Sequence, residues 1–112
     1  MRKIVRLKKS EEIGKIVLKK QRVSSELYTI YYILKKEETK IAIVAGKKCG
    51  NAVKRNYEKR IMRNIIRPHL SNIKKIHAVI VAKESVLNKS FNNKKENLNK
   101  LILKMIERVK SI

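Results

Sequence analysis

A run of helix-compatible residues between Asn51 and Pro68 constrains the fold of this chain more than any other feature. Asn51 is a good helix N-cap because its side-chain oxygen can accept a hydrogen bond from an orphan backbone N–H. No Gly or Pro follows it until Pro68, which predicts that the helix ends or kinks there. The sequence therefore predicts one long helix in the middle of the chain.

At about 100° per residue, this predicted helix has an apolar arc and a cationic band. We expect the apolar arc to face a core; its members are Val53, Tyr57, Ile61 and Ile65. Two lysines before the cap and six helix residues form the cationic side: Lys47, Lys48, Arg55, Asn56, Lys59, Arg60, Arg63 and Arg67. A merely solvated face normally mixes charge signs, whereas the single acid here, Glu58, lies off the main arc. The polar face therefore suits a polyanion better than water.

The charge of the whole chain supports this interpretation. The 112 residues fit a single domain spanning 1–112, and 30 Lys+Arg against 9 Asp+Glu give a net charge of +21. Such a basic domain points to nucleic acid first and to an anionic membrane surface second. The sequence has neither an apolar run of about 20 residues nor the apolar core of a signal peptide. We expect a cytoplasmic protein that binds no membrane.

The side chains suggest no catalytic or metal site. Cys49 is the only cysteine. Its place beside a helix N-terminus and two lysines could lower its pKa, but a buried apolar role is the stronger expectation. His69 and His77 lack neighbouring acids or thiols at ligand spacing, and the three glycines form no phosphate-binding fingerprint.

The central segment resembles the signature of the bacterial ribonuclease P protein component. The matching positions are Lys48, Gly50, Asn51, Ala52, Arg55, Asn56, Lys59, Arg60 and Arg63. The chain departs from the signature in two places: Cys49 replaces a β-branched residue, and Tyr57 replaces the third member of Arg-Asn-Arg. The resemblance extends over essentially the whole chain.

Before the central helix, the sequence predicts a basic arm, a short helix and two strands. Ser10 is placed to cap the short helix, and its apolar stripe is Ile13, Ile16 and Val17. The Tyr-, Ile- and Thr-rich segment from about Val23 to Leu34 is strand-like. The charged residues 35–40 predict a hairpin turn, with Ile41 to Ala45 as the returning strand.

Two further elements follow the central helix. The apolar run from His77 to Ala82 predicts a strand covered on both faces. Asn93 and Glu96 resemble a capping box at the start of a last helix, whose core stripe is Leu98, Leu101, Ile102, Met105 and Val109. The predicted order is α-β-β-α-β-α, which gives a small α/β sandwich with a central sheet.

The resemblance adds two expectations about the fold. It implies a four-stranded sheet and a left-handed βαβ crossover around the basic helix, which is an exception to the usual handedness. The pattern of residues alone leaves two sources for a fourth strand, namely a division of the segment from Val23 to Leu34 or the loop sequence.

The resemblance also implies a function, that of the protein subunit of ribonuclease P, which removes the 5′ leader of precursor tRNA. In that family the RNA subunit carries the chemistry and its Mg²⁺ ions, and the protein binds the catalytic RNA and the leader. The implied RNA-binding residues are Lys47, Lys48, Asn51, Arg55, Asn56, Lys59, Arg60, Arg63 and Arg67. A leader cleft would contain Ile13, Val17 and Tyr31, although Tyr31 read alone is equally a half-buried strand tyrosine.

Two other classes of protein explain part of the same sequence. A structural ribosomal protein would share the charge and a similar fold but would lack the Arg-Asn signature. A general DNA-binding or membrane-surface protein would explain only the net charge. No feature of the sequence indicates an obligate protein partner.

Overall fold

The computed structural model describes residues 21–35, 39–73 and 75–110 of the chain. Within them lie four strands and two α-helices: β1 Arg22–Ser24, β2 Tyr28–Leu34, β3 Lys40–Ala45, α1 Ala52–Ile66, β4 Ile76–Ala82 and α2 Phe91–Lys110. Short 3₁₀ segments span Lys47–Cys49, Arg67–Asn72 and Glu84–Asn88. The α/β class is confirmed. The basic arm and the short helix predicted after Ser10 lie outside the described residues.

The four strands form one sheet in the order β1-β2-β4-β3. β2 is antiparallel to both β1 and β4, and β3 is parallel to β4. The predicted hairpin between β2 and β3 is therefore wrong, because β4 lies between them. β4 is buried along nearly its whole length, and a strand apolar on both faces is best placed in the centre of a sheet.

The fourth strand comes from a division of the long tyrosine-rich segment, the first of the two sources considered. The chain turns at Ser25, whose backbone N–H donates to the carbonyl of Tyr28 at 2.8 Å. The Ser25 hydroxyl accepts a hydrogen bond from the Tyr28 N–H at 3.2 Å. Val23 then faces Ile30 across the β1–β2 pair. A serine side chain that hydrogen-bonds nearby backbone groups competes with the hydrogen bonds between strands. β1 therefore ends at this turn.

Both helices pack on the same face of the sheet, where the main core lies. Alternate residues of β2 enter this core, and so do those of β4; they are Tyr28, Ile30, Tyr32, Ile76, Ala78 and Ile80. The predicted stripe of α2 is confirmed, with Leu98, Leu101, Ile102 and Met105 buried and Val109 partly buried. The opposite sheet face has a smaller cluster around Ala42 and Val79, with Tyr31 and Val81 packed against it.

The start of α2 differs from the prediction. Asn93 is inside the helix, and its backbone N–H donates to the Ser90 hydroxyl at 3.2 Å. The Lys94 N–H bonds the Ser90 carbonyl at 3.0 Å. Ser90, one residue before the helix, is therefore the N-cap. The capping box proposed at Asn93 and Glu96 is wrong, because a serine three residues earlier already satisfies the first donors.

Helix α1 begins and ends as the sequence predicts. Asn51 has extended backbone angles, and its side chain accepts from the Lys54 N–H at 3.0 Å. The helix ends at Ile66, and Pro68 lies in the first turn of the 3₁₀ segment that follows. α1 connects the parallel strands β3 and β4, so it is the crossover helix of a βαβ unit. The left-handed crossover stays a prediction from the resemblance.

The buried arc of α1 is not the predicted one. Val53 is 77% exposed and Tyr57 is 56% exposed, whereas Ile61 and Ile65 are buried as expected. The residues that face the core are Glu58, Ile61, Met62, Ile65 and Ile66. The core contacts the second half of the helix, so apolar residues in its first two turns project beyond it.

Candidate nucleic-acid interface

The interface begins where the chain leaves β3 and turns into α1. Gly50 has φ +105°, a conformation that side-chain-bearing residues rarely adopt, with ψ −158°. A Cβ at Gly50 would also lie 2.8 Å from Cδ and 3.2 Å from Cβ of Lys54. Glycine is required here so that Asn51 can cap the helix directly after the exposed residues Lys47 and Lys48.

The outer side of α1 carries a ridge of four polar side chains, which we call the cationic face: Asn56, Arg60, Arg63 and Arg67. Their spacing of three or four residues places them one above the other on the helix. Asn56, Arg60 and Arg67 are exposed and Arg63 is half-buried. The face runs from Asn56 to Arg67, the C-cap of α1, so it extends over roughly 17 Å at 1.5 Å per residue.

Two further predicted residues flank the cationic face. Arg55 and Lys59 are half-buried. Tyr57 lies beside α2, since Lys94 of that helix is positioned over its ring. Arg55 and Lys59 are on nearly the opposite side of α1 from Tyr57. Arg55 and Lys59 therefore lie on the flank of α1 away from α2, and they widen the cationic surface toward the edge of the sheet.

Asn51 has a structural role that limits what it can offer a ligand. Its side-chain oxygen caps the helix through the Lys54 N–H. The side chain is exposed, so its amide N–H groups and the second lone pair of the oxygen remain for a ligand. A donor next to the helix N-terminus still suits an anionic group.

A groove of about 470 Å³ lies beside the lysines that precede α1. Tyr31, Val44 and Val81 line it from the sheet face opposite the helices. Lys47, Lys48 and Lys83 also line it, and Glu84 is the one carboxylate in the described wall. The structure therefore brings Tyr31 together with Lys47 and Lys48. Ile13 and Val17, the other predicted members of the leader cleft, lie outside the described residues.

A buried ion pair joins the two helices, and sequence reasoning missed it. Lys94 Nζ of α2 lies 2.9 Å from Glu58 Oε2 of α1, and both side chains are at most 5% exposed. The sequence carried two signals: Glu58 is the only acid in a strongly cationic helix, and it lies at helical spacing before Ile61 and Met62. Its burial removes the single negative charge of α1 from the outer side of that helix.

The environment of this ion pair also affects Tyr28. Burial raises the pKa of the Tyr28 hydroxyl, and the negative charge of Glu58 raises it further. The hydroxyl is buried and has no hydrogen-bond partner within the described part of the chain. Tyr28 therefore stays neutral and acts as a packing residue under the helices.

Cys49 is buried at the sheet end of α1, and its thiol donates to the Ala82 carbonyl at a sulfur–oxygen distance of 3.6 Å. Burial raises the pKa of this thiol, and the nearby charge of Glu58 adds to the increase. A lowered pKa is therefore wrong for Cys49, and the expected buried apolar role is confirmed. The lysines that precede it point to solvent and do not compensate for burial.

The described part of the interface offers poor ligands for a divalent cation. Apart from the Glu84 carboxylate in the groove wall, its charged side chains are ammonium and guanidinium groups, and magnesium prefers oxygen ligands with negative charge. No group of three or more His, Cys, Asp or Glu that could hold a metal occurs in residues 21–35, 39–73 and 75–110. Within the same residues, no helix is long and apolar enough to cross a membrane.

This fold and this site define a small, basic α/β domain with a cationic surface suited to a polyanion. The family model for ribonuclease P matches residues 1–106. The chain belongs to the ribonuclease P protein family, which confirms the predicted resemblance. The family assignment also confirms the predicted role, that of the protein subunit of an endoribonuclease that processes tRNA. In this family catalysis is based on RNA.

Individual relatives agree with the family assignment. The ribonuclease P protein component of Mycoplasma capricolum is 34% identical over 107 residues, which cover 93% of this chain and 94% of the relative. The protein of the same name from Bacillus velezensis is 30% identical over 106 residues, with 93% and 91% coverage. The structure of Staphylococcus aureus RNase P protein superposes with a TM-score of 0.82 at 25% identity, covering 89% of this chain and 94% of that one. These matches favour ribonuclease P over the ribosomal alternative.

Proposed function

We propose that the cationic face of α1, extended by Arg55, Lys59 and the lysines at 47 and 48, binds the catalytic RNA of ribonuclease P. The observation that supports this most is the absence of acids from the outer side of α1, a helix that the structure describes in full. Its only acid, Glu58, is buried against Lys94. Like charges one turn apart repel each other, so such a face is most stable when an external anion neutralises it.

The side chains suit phosphate and nucleotide contacts of different kinds. Arg60 and Arg63 can each donate two parallel hydrogen bonds to one phosphate. Lysines 47, 48 and 59 act as point charges that need no fixed orientation. Asn56 supplies a neutral donor and acceptor within the cationic face. Asn51 contributes through its amide group.

We further propose that the groove beside Lys47 and Lys48 binds the 5′ leader of precursor tRNA. An aromatic side chain flanked by cations is the usual surface for single-stranded RNA, because every base can stack and every phosphate is attracted. Tyr31 supplies the ring, and the lysines lie on the groove wall. Ile13 and Val17 would extend the same cleft by resemblance to the family.

The remaining parts of the proposal follow if the RNA carries out catalysis and the protein binds RNA. The chain acts as a single domain, 1–112, in the cytoplasm, and its partners are the catalytic RNA and precursor tRNA. It has no obligate protein partner in this proposal. The Mg²⁺ ions are held by the RNA, because the described protein side chains of the interface are mainly cationic.

Reconstitution of the holoenzyme tests the proposal. The protein alone is expected to leave precursor tRNA intact. Addition of the protein to ribonuclease P RNA at low Mg²⁺ is expected to raise cleavage at the leader junction, and more so for a long leader than for a leader of one nucleotide. Tyr31→Leu should reduce that leader-dependent advantage. Cleavage by RNA-free protein, or no gain on adding protein to RNA, would contradict the proposal.

A further inference from the structure

Tyr57 is an exposed aromatic residue on the border of the cationic face. It stands where the family signature has an arginine, and 56% of its surface is exposed. Val53, one turn earlier on the same side of α1, is 77% exposed. The two residues are neighbours at i, i+4 spacing and form a small apolar surface. Neither contributes to the core, so packing does not explain the ring.

The ring is supported from its inner side. Lys94 Nζ lies 5.5 Å from the centre of the Tyr57 ring, within the range of a cation–π contact. Lys94 is itself fixed by its 2.9 Å ion pair with Glu58 and is 3% exposed. A buried ammonium group thus lies over one face of the ring, while more than half of the Tyr57 surface is exposed.

This arrangement prepares Tyr57 for a flat ligand. A tyrosine has only two side-chain torsions, so it provides a large contact area at low entropic cost. The Lys94 contact restricts those torsions further, and a preorganised surface loses less free energy on binding. The outer face of the ring remains open to a planar group.

The surroundings of Tyr57 indicate which planar group this is. Arg60 lies one turn further along α1 and Asn56 is the adjacent residue, so cations and amides border the ring. No acid is exposed on α1. A nucleobase fits because it stacks on the ring while its own phosphates reach the cations. We propose that Tyr57 is a stacking platform for an unpaired base of the ribonuclease P RNA.

This proposal rests on the proposed function of the cationic face and makes it more specific. An arginine at this position would contribute to affinity mainly through charge, which salt weakens. A stacked tyrosine contributes through contact with the base, which releases no counterion. Tyr57 therefore gives a part of the affinity that does not depend on salt.

The test measures the affinity of the full chain for ribonuclease P RNA over a range of salt concentrations. Tyr57→Leu keeps an apolar side chain but removes the ring, and should weaken binding about tenfold without changing the slope of log K against log salt. Tyr57→Phe keeps the ring and should bind as the unaltered protein does. Leu103→Ala alters an exposed apolar residue of α2 (55% exposed) and serves as the matched control, with no effect expected.

Arg60→Ala separates failure of this proposal from failure of the proposed function. It should weaken binding and lower the salt slope by about one. If Arg60→Ala weakens binding but Tyr57→Leu does not, the stacking platform is wrong and the cationic face stands. If neither variant weakens binding, the proposed function of the face is wrong as well. A loss in Tyr57→Leu accompanied by a lower slope would also overturn stacking.

A spectroscopic variant gives a second measurement. The chain has no Trp, so Tyr57→Trp provides a single fluorescent reporter at the site. Quenching of its fluorescence by the ribonuclease P RNA is expected, whereas unchanged emission under saturating RNA would overturn the proposal. A contact between two copies of the chain would instead appear as a concentration-dependent mass in light scattering that Tyr57→Leu abolishes, and this too would overturn it.

Discussion

The two helices lie on the same face of the sheet and are both rich in Lys and Arg, yet their outer sides differ. On α2, Lys100 pairs with Glu96 at 3.1 Å, and Glu107 lies two turns after Lys100. On the outer side of α1 no acid accompanies the arginines. A helix that mixes signs neutralises its own surface and needs no ligand. The absence of compensating acids, more than the number of cations, therefore distinguishes α1 as the proposed RNA-binding helix.

The inner sides of the helices also differ in the charge that they bury. α1 buries its one acid, Glu58, and α2 buries a cation, Lys94. Their 2.9 Å contact joins the helices in the core and also places an ammonium group under Tyr57. The ion pair therefore has two consequences: it keeps negative charge away from the proposed RNA-binding side of α1, and it fixes the orientation of α1 relative to α2.

The largest expected effect comes from breaking this pair on the α2 side. Lys94→Met leaves Glu58 buried without its partner, and removing one member of a buried pair costs about 3–5 kcal/mol. The Glu58 Oε1 atom already lacks a hydrogen-bond partner among the described residues, so the carboxylate has little other compensation. Urea unfolding, followed by circular dichroism, measures the loss in unfolding free energy.

Two variants make this prediction specific. Lys95→Met changes the exposed neighbour of Lys94 and should alter stability by less than about 0.5 kcal/mol. The double variant Glu58→Leu, Lys94→Met removes both charges and should recover most of the loss, because apolar replacement of a buried pair is often neutral. A double variant as unstable as Lys94→Met would show that the cost lies in packing rather than in an unpaired charge.

The boundaries of α1 and the core of α2 could be predicted because their causes are local. Asn51 caps its own helix, Pro68 cannot continue one, and the stripe from Leu98 to Met105 follows from helical spacing. The position of β4 between β2 and β3 could not, because strand pairing joins residues far apart in the chain. Local alternation gives the faces of a strand but not its neighbours.

The candidate site shows the same limit of local reasoning. The cationic face follows from spacing alone, and its residues lie on one side of α1 as predicted. Helical spacing places Glu58 on the same side of α1 as Ile61 and Met62, but its partner could not be predicted, since Lys94 is 36 residues away on another helix. The exposure of Tyr57 has the same cause: periodicity gives the apolar arc, but the position of α2 and the sheet decides which part of that arc is covered.

The second prediction compares the outer sides directly in RNA binding. Arg60→Ala on α1 should weaken binding to ribonuclease P RNA by about ten- to a hundredfold, since a charge-assisted hydrogen bond contributes about 1.5–3 kcal/mol. Lys100→Ala on α2 also removes one positive charge, but this charge is already paired with Glu96. It should leave the affinity nearly unchanged. Filter binding or fluorescence anisotropy at several salt concentrations provides both affinities and salt slopes.

Equal losses in Arg60→Ala and Lys100→Ala would mean that the RNA responds to total charge and that the distinction between the helices is wrong. A loss in Arg60→Ala with an unchanged salt slope would mean that Arg60 contacts no phosphate. The melting temperature of each variant, measured without RNA, separates weakened binding from loss of the folded state.

The smallest expected effect concerns the free protein and a simple anion. With a net charge of +21 the folded chain repels itself, and we expect partial unfolding at low salt. Sulfate bound at the cationic face should stabilise the folded state by roughly 1 kcal/mol once its concentration exceeds its Kd several-fold, because the unfolded chain does not hold these cations together. Chloride at equal ionic strength should raise the melting temperature less.

Sulfate also stabilises proteins generally, by exclusion from their surfaces, so two matched double variants are needed to isolate the site. Arg60→Ala, Arg63→Ala removes two cations from α1, and Lys100→Ala, Lys104→Ala removes two from α2. General exclusion acts equally on both variants, whereas a bound anion depends on the cationic face alone. The gain of sulfate over chloride should therefore shrink in the α1 variant and persist in the α2 variant. The same gain in both variants would show that α1 holds no anion site and that repulsion along its outer side is relieved by screening alone.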